Sequence, residues 1–124
     1  VEQSIEDSAL DLIRLVAPTT DPRRMGRALD GAQGFVYLIA RLGVTGASTS
    51  LAVDLGASVA RVRSATTLPI AVGFGVSTPR QACAVAQLAD GVVIGSALVD
   101  VLGQHGVAAL ARLLSETRAA LDGQ

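Results

Sequence analysis

Aromatic residues are almost missing from this sequence, which has two phenylalanines, one tyrosine and no tryptophan in 124 residues. A surface that stacks nucleic-acid bases needs several exposed aromatic rings, so we expect no such surface here. The net charge of −1 gives no electrostatic reason to expect binding to nucleic acid either. These two shortages argue against a nucleic-acid-binding protein.

Cysteine and long apolar runs are also scarce. The single cysteine, Cys83, excludes an intrachain disulfide, and the sequence shows no metal-ligand cluster, nucleophilic triad or Walker loop. Polar residues or glycines interrupt every apolar run before it reaches 18 residues, and the N-terminus carries no basic segment typical of a signal peptide. We therefore expect a cytoplasmic protein that uses no metal or other cofactor.

Charged residues are only 17% of the chain, against roughly 25% in an average soluble domain, whereas apolar residues are 50%. This deficit indicates more buried or contacting surface than a lone domain of this size needs. The length fits one domain, for which roughly 100 to 200 residues is usual. We expect a single domain over residues 1–124.

Four repeats of one pattern organise the sequence. Each repeat is an apolar strand followed by a helix, and strands that alternate with helices predict a parallel sheet with right-handed crossovers. Four such units in 124 residues amount to half of a (β/α)8 barrel, which typically takes ~250 residues. The predicted strands are 12–16, 35–39, 70–72 and 92–94, and the predicted helices are 21–29, 53–65, 79–88 and a closing helix over 107–121.

Glycine and serine directly follow the last two predicted strands, at Gly75 and at Gly95 with Ser96. Backbone N–H groups can reach a phosphate where glycine leaves room, and the N-terminus of a helix adds a partial positive charge. Two successive units of this kind are typical of the last strands of a phosphate-binding barrel. The alternative is that these glycines only close tight turns.

Four segments together resemble one family, the tryptophan synthase alpha subunit, in its C-terminal half (strands 5 to 8 of the barrel). The discriminating segment is the Tyr-Leu-x-x-x-x-Gly-Val-Thr-Gly pattern from Tyr37 to Gly46. Gly-Phe-Gly and Gly-Ser alone would also fit indole-3-glycerol phosphate synthase and phosphoribosylanthranilate isomerase. The four segments are 17–20, 34–46, 73–77 and 93–97.

The resemblance implies a reaction, the retro-aldol cleavage of indole-3-glycerol phosphate to indole and glyceraldehyde 3-phosphate in tryptophan biosynthesis. It assigns phosphate-binding roles by position to Gly46, Gly75, Gly95 and Ser96. It assigns the substrate pocket to Tyr37 and Phe74, together with Thr45 in a loop that resembles the family's lid. A barrel-filling role for Tyr37, which shares a strand face with Phe35, is the alternative.

The family's two catalytic carboxylates belong to a segment that this sequence does not contain. The carboxylates present precede strands, cap a helix or lie in helices, and none follows a strand end, where acid-base chemistry would require it. We therefore predict no catalytic residue here, and a chain that is inactive on its own, so that enzyme status stays open. The only histidine, His105, falls between helices and is interpreted as a surface or capping residue.

A half barrel would leave two sheet edges and an apolar inner face open. A second copy of the chain, another chain carrying the missing half, or the remainder of a longer alpha subunit would each cover them. We rank a homo-oligomer or an engineered half first, with a tryptophan synthase beta subunit as a further partner. The alternative function is a non-catalytic, self-assembling half-barrel scaffold that keeps a residual phosphate or sulfate site.

Overall fold

A four-stranded parallel sheet forms the centre of the structure. The structure is a computed structural model that describes residue 4 and residues 7–40, 48–73 and 75–123. For residues 48–53 it describes the backbone alone. The strands lie in chain order β1-β2-β3-β4, and a helix follows each one. The elements are β1 Arg14–Val16, α1 Pro22–Ala28, β2 Val36–Ile39, α2 Ser48–Ala65, β3 Ile70–Gly73, α3 Pro79–Ala86, β4 Gly91–Val93 and α4 Ser96–Asp122.

One face of this sheet carries the hydrophobic core. Alternate strand residues point to opposite faces, so every second position packs beneath the helices. Val36, Leu38, Ile70 and Val72 are fully buried there, and Met25 of α1 and three apolar residues of α2 join them. At ~25 cal/mol per Å2 of apolar surface removed from water, this layer supplies the main stabilisation of the sheet.

The opposite face, which we call the inner face, is open. Its residues are Leu15, Tyr37, Ala71 and Gly91 in one row across the four strands, and Ile39, Gly73 and Val93 in the next. Leu15 is 61% exposed, and Tyr37 is only half-buried. The inner face is therefore open among the described residues, as expected for a half barrel, because no described segment lies over it.

The starts of β1 and α2 differ from the sequence prediction, whereas the start of α3 agrees with it. The first strand begins at Arg14 rather than Leu12, because the N–H and carbonyl of Leu12 bond to Gln33, which precedes β2. Helix α2 begins at Ser48 rather than Val53, since no glycine or proline after Gly46 stops the helix from extending backwards. Helix α3 begins where predicted, with Thr78 as its N-cap in a capping box.

Helix α4 is two helices joined at Gly106, whose φ of 81° and ψ of −177° are not helical. The second of these helices agrees with the predicted closing helix. By length and composition α4 is the one helix among the described residues that is long and apolar enough to cross a membrane. The break weakens this interpretation, because neither segment on either side of Gly106 reaches the ~20 residues that a span needs.

Candidate functional site

The carboxyl ends of the four strands meet at one edge of the sheet, because all strands are parallel. At that edge the chain leaves β3 through Gly75, which is exposed and has a φ of 83°. It leaves the neighbouring β4 through Gly95 and Ser96, which are also exposed. Three of the residues predicted to bind phosphate therefore lie at the ends of adjacent strands.

The start of α4 offers donors that its own helix does not use. Gly95 is the N-cap and makes no side-chain capping bond, and its carbonyl already accepts from the N–H groups of Leu98 (2.9 Å) and Val99 (3.2 Å). The N–H groups of Ser96 and Ala97 precede the first intrahelical bonds and have no acceptor within the helix. An anion bound here would accept from them and would interact favourably with the helix dipole.

Space for such an anion exists at Gly95. A Cβ built at this glycine meets no atom within 4 Å, so packing does not require glycine at this position. A larger side chain would nevertheless occupy the space in front of the helix start. Glycine at this position therefore leaves the start of α4 open, although packing does not require it.

Tyr37 contacts the same end of the sheet through Gly73, the last residue of β3. A Cβ at Gly73 would lie 2.3 Å from the Tyr37 Oη and 2.9 Å from its Cζ, and also 2.9 Å from the Cβ of Val93. The ring therefore lies directly over the Gly73 backbone. This contact joins Tyr37 to the strand end that leads into Gly75.

Four of the seven predicted site residues are described, namely Tyr37, Gly75, Gly95 and Ser96, and the structure brings all four to one end of the sheet. Thr45, Gly46 and Phe74 lie outside the described residues, as does most of the loop that resembles the lid. Gly73 was quoted in the sequence motif but given no role. A glycine at a strand end was the available signal, because such a glycine often marks a close approach of another group.

Two carboxylates in the described part of the chain, Asp21 and Asp90, have structural roles. Asp21 caps α1 by accepting from the Arg23 N–H at 2.8 Å, as predicted. Asp90 lies at the start of β4, at the edge opposite the glycines, where its Oδ2 accepts from the Ile70 N–H and from Arg63, each at 2.9 Å. The Ile70 N–H first, and Arg63 second, hold the pKa of Asp90 below its usual value.

A shallow cleft follows β1 at the carboxyl edge, and sequence reasoning did not find it. Its wall carries three exposed arginines of α1. Thr20 closes the turn before the helix, since its Oγ1 accepts from the Ala17 N–H at 3.2 Å. The cleft is lined by Thr19, Thr20, Asp21, Arg23, Arg24, Arg27 and Ala28.

Known proteins resemble this chain in sequence over nearly its whole length. The family described as tryptophan synthase alpha chain matches residues 1–121. The tryptophan synthase alpha chain of Erythrobacter litoralis is 48% identical over 110 residues, which cover 89% of this chain and 42% of the relative. That of Lactiplantibacillus plantarum is 43% identical over 123 residues, which cover 98% of this chain and 47% of the relative.

Solved structures agree with the sequence relatives. Tryptophan synthase from M. tuberculosis in its aminoacrylate-bound form matches with a TM-score of 0.81 and 34% identity, over 97% of this chain and 44% of that one. The alpha subunit from Campylobacter jejuni matches with a TM-score of 0.82 and 32% identity, over 93% and 46%. The chain thus spans slightly less than half of its relatives and folds as half of a (β/α)8 barrel. It belongs to the tryptophan synthase alpha chain family.

Proposed function

We propose that this chain is the phosphate-binding half of a tryptophan synthase alpha barrel and holds the phosphate of indole-3-glycerol phosphate. The supporting observation is the pair of strand ends at β3 and β4, where Gly75 has a positive φ and Gly95 opens α4 without a capping side chain. Ser96 adds a hydroxyl, and Gly46 completes the set by its position in the family motif. Backbone N–H groups and one hydroxyl would bind the phosphate without a cation.

Tyr37 has the position of a pocket residue in this proposal. Its ring faces the open inner side of the sheet and lies over Gly73, two residues before Gly75. Phe74, between these two glycines, and Thr45 are assigned to the pocket by the family motif alone. The substrate's indole and glycerol groups would extend from the phosphate towards the inner face.

The reaction we propose for the completed barrel is cleavage of indole-3-glycerol phosphate to indole and glyceraldehyde 3-phosphate, a step in tryptophan biosynthesis. It needs one proton delivered to indole C3 and one removed from the glycerol hydroxyl. Of the described carboxylates near strand ends, Asp21 caps a helix and Asp90 lies at the opposite edge of the sheet from Gly95. The half chain therefore binds, and the other half supplies the proton transfers.

The completed barrel would work with a tryptophan synthase beta subunit, the partner that the alpha family has. A cytoplasmic location remains part of the proposal, as befits a biosynthetic enzyme. The chain itself would need no metal or organic cofactor for this chemistry, because the bond cleavage depends on proton transfer alone.

Phosphate binding is tested first, on the chain as it stands. Titration with inorganic phosphate, followed by NMR shifts of the Ser96 and Ala97 amides, should show saturable binding. Gly95→Val should weaken it about tenfold or more, because one charge-assisted hydrogen bond contributes ~1.5–3 kcal/mol. Gly103→Val is the matched control, since a Cβ there also meets nothing within 4 Å but lies two turns from the helix start.

Two results would contradict the phosphate site: equal binding in Gly95→Val and Gly103→Val, or unchanged binding in Ser96→Asp. The added carboxylate of Ser96→Asp would lie among the proposed donors and repel the anion. Thermal denaturation of each variant without phosphate separates a loss of binding from a loss of folding.

The alternative function, a non-catalytic scaffold, predicts no enzymatic activity. A chimera with a known alpha chain therefore distinguishes it from the proposed function. Residues 1–121 would replace the matching segment of the Lactiplantibacillus plantarum alpha chain, and indole release from indole-3-glycerol phosphate would be measured beside the unaltered relative. Release by the chimera, and its loss on Gly95→Val, support the proposed function. A folded chimera that releases no indole would refute it.

A further inference from the structure

One side chain, that of Gln81, organises the turn that leads from β3 into α3, which we call the β3 turn (residues 75–78). The Gln81 Oε1 accepts from the Ser77 N–H at 2.8 Å, from the Ser77 hydroxyl at 3.0 Å and from the Thr78 N–H at 3.2 Å. The Gln81 N–H donates to the Thr78 hydroxyl at 3.2 Å, which completes the capping box. Backbone N–H groups can only donate, so the amide oxygen of Gln81, and not its nitrogen, must face the turn.

The β3 turn also carries Gly75, one of the residues proposed to bind phosphate. Gly75 is exposed and has a φ of 83°, whereas Val76 after it is buried. None of the three bonds to the Gln81 oxygen involves Gly75. Gln81 and the buried Val76 therefore fix the turn without using the Gly75 N–H, which is the donor that a phosphate would need.

A glutamate could form the same capping box, because this motif accepts either Glu or Gln at its third helical position. Its carboxylate would form charge-assisted hydrogen bonds to the same donors and would interact favourably with the partial positive charge of the helix N-terminus. Helix α3 has no acidic residue in its first turn. For the stability of α3 alone, the neutral amide of Gln81 is therefore the weaker choice.

The lack of negative charge extends to both strand ends of the proposed phosphate site. Residues 70–99 contain only two charged side chains, Arg80 and Asp90. Asp90 lies at the opposite edge of the sheet, where it accepts from the backbone before β3, and Arg80 is exposed beside Gln81. At the phosphate edge, this stretch of the chain therefore brings no carboxylate towards a bound anion.

We propose that Gln81 is a positioning residue for the β3 turn, and that its neutral amide sets the affinity of the site for doubly charged anions. The inference rests on the proposed phosphate-binding function. Ser77 is two residues from Gly75, and consecutive Cα atoms are about 3.8 Å apart, so the Gln81 Oε1 lies within about 10 Å of the Gly75 N–H. The Debye length is also about 10 Å at 0.1 M salt, so a carboxylate at this distance is only partly screened from the phosphate. Gln81→Glu should therefore weaken phosphate binding about threefold to tenfold.

Phosphate titration of the chain, followed by the Ser96 and Ala97 amides, separates the effect of charge from that of the cap. Gln81→Glu keeps the acceptor, so without phosphate its thermal midpoint should equal or exceed that of the unaltered chain, while its affinity falls. Gln81→Ala removes the acceptor, so both its midpoint and its affinity should fall. Gln87→Glu is the matched control, because it adds the same charge to an exposed residue at the other end of α3 and should leave the affinity unchanged.

Salt dependence and kinetics give two readouts that a purely structural role would not change. The affinity difference between the unaltered chain and Gln81→Glu should shrink to less than about twofold at 1 M salt, where the Debye length is about 3 Å. In the chimera described above, Gln81→Glu should raise KM for indole-3-glycerol phosphate about threefold to tenfold and change kcat less than about twofold. The phosphate is bound in both the ground state and the transition state, so its repulsion affects the two alike.

The outcomes separate this inference from the function on which it rests. Absence of saturable phosphate binding by the unaltered chain would overturn the proposed function and this inference with it. Binding by the unaltered chain, together with equal affinities of Gln81→Glu and Gln87→Glu, would overturn this inference alone. So would a loss of affinity in Gln81→Glu that is the same at low and at high salt.

Discussion

The contact between Tyr37 and Gly73 allows the sharpest test of how the site is built. Gly73→Ala would place a Cβ 2.3 Å from the Tyr37 Oη and 2.9 Å from the Val93 Cβ. The Tyr37 ring can swing away, but the Val93 Cβ is attached to the neighbouring backbone and can move only with its strand. Overpacking of this kind costs ~1–3 kcal/mol, so we expect the free energy of unfolding to fall by about 2 kcal/mol.

The sequence supplies a convenient probe for this change. Tyr37 is the only tyrosine and there is no tryptophan, so tyrosine fluorescence and near-ultraviolet dichroism report on this ring almost alone. Gly73→Ala should alter both signals and lower the urea midpoint without changing the m-value. At this chain length the thermal midpoint should fall by roughly 3–6 °C per kcal/mol, measured at fixed protein concentration.

A double-mutant cycle separates the ring from the strand. In a Tyr37→Leu background the clash with the ring is gone and the clash with Val93 remains, so the cost of Gly73→Ala should shrink by at least ~0.5 kcal/mol. Gly103→Ala, where a Cβ meets nothing within 4 Å, should be neutral or stabilising. If Gly73→Ala leaves stability and the tyrosine signals unchanged, or if its cost is the same in both backgrounds, the ring does not lie over this glycine.

Two further predictions concern positions away from the proposed phosphate site. Asp90→Ala should cost about 1–2 kcal/mol at neutral pH, because the N–H of the fully buried Ile70 loses its acceptor, and the 43% exposure of the Asp90 side chain lets water replace part of it. The lowered pKa of Asp90 means that its stabilisation is present above its unfolded pKa of about 3.9 and is lost as pH falls through the folded value. Asp90→Asn should therefore flatten the acid limb of the stability curve, and an unchanged limb would contradict the bond to Ile70. Gly106→Ala should cost ~1–3 kcal/mol in thermal denaturation, because its φ of 81° and ψ of −177° suit glycine almost alone, and equal effects of Gly106→Ala and Gly103→Ala would refute this.

Strand order and element type could be predicted from the sequence because they depend on local patterns. Apolar runs that alternate with helical segments specify a parallel sheet, and the predicted start of α3 at residue 79 agrees with the structure, in which Thr78 is the N-cap. Boundaries were less predictable where a distant side chain competes for the backbone. Leu12 belongs to an apolar run, yet Gln33 takes its hydrogen bonds, and so the ladder begins at Arg14.

The site was predictable in its glycines but not in the contact that positions Tyr37. Gly75 and Gly95 follow their strands directly, so the meeting of their ends at one edge follows from parallel pairing alone. The position of the Tyr37 ring depends on register across two strands. Tyr37 pairs with Ala71, which sets Gly73 diagonally ahead of it, and no local pattern contains that offset.

The break at Gly106 divides α4 into two helical segments with different contacts. The segment before Gly106 begins at the proposed phosphate site. The segment after it packs against α3, where the Cys83 thiol donates to the Ala120 carbonyl at 3.2 Å. The joint is exposed, and a Cβ at Gly106 meets nothing within 4 Å. Extra residues inserted there would project into solvent. A tag, a reporter or a pair of new termini can therefore be introduced at Gly106 without disturbing the start of α4 or its packing on α3.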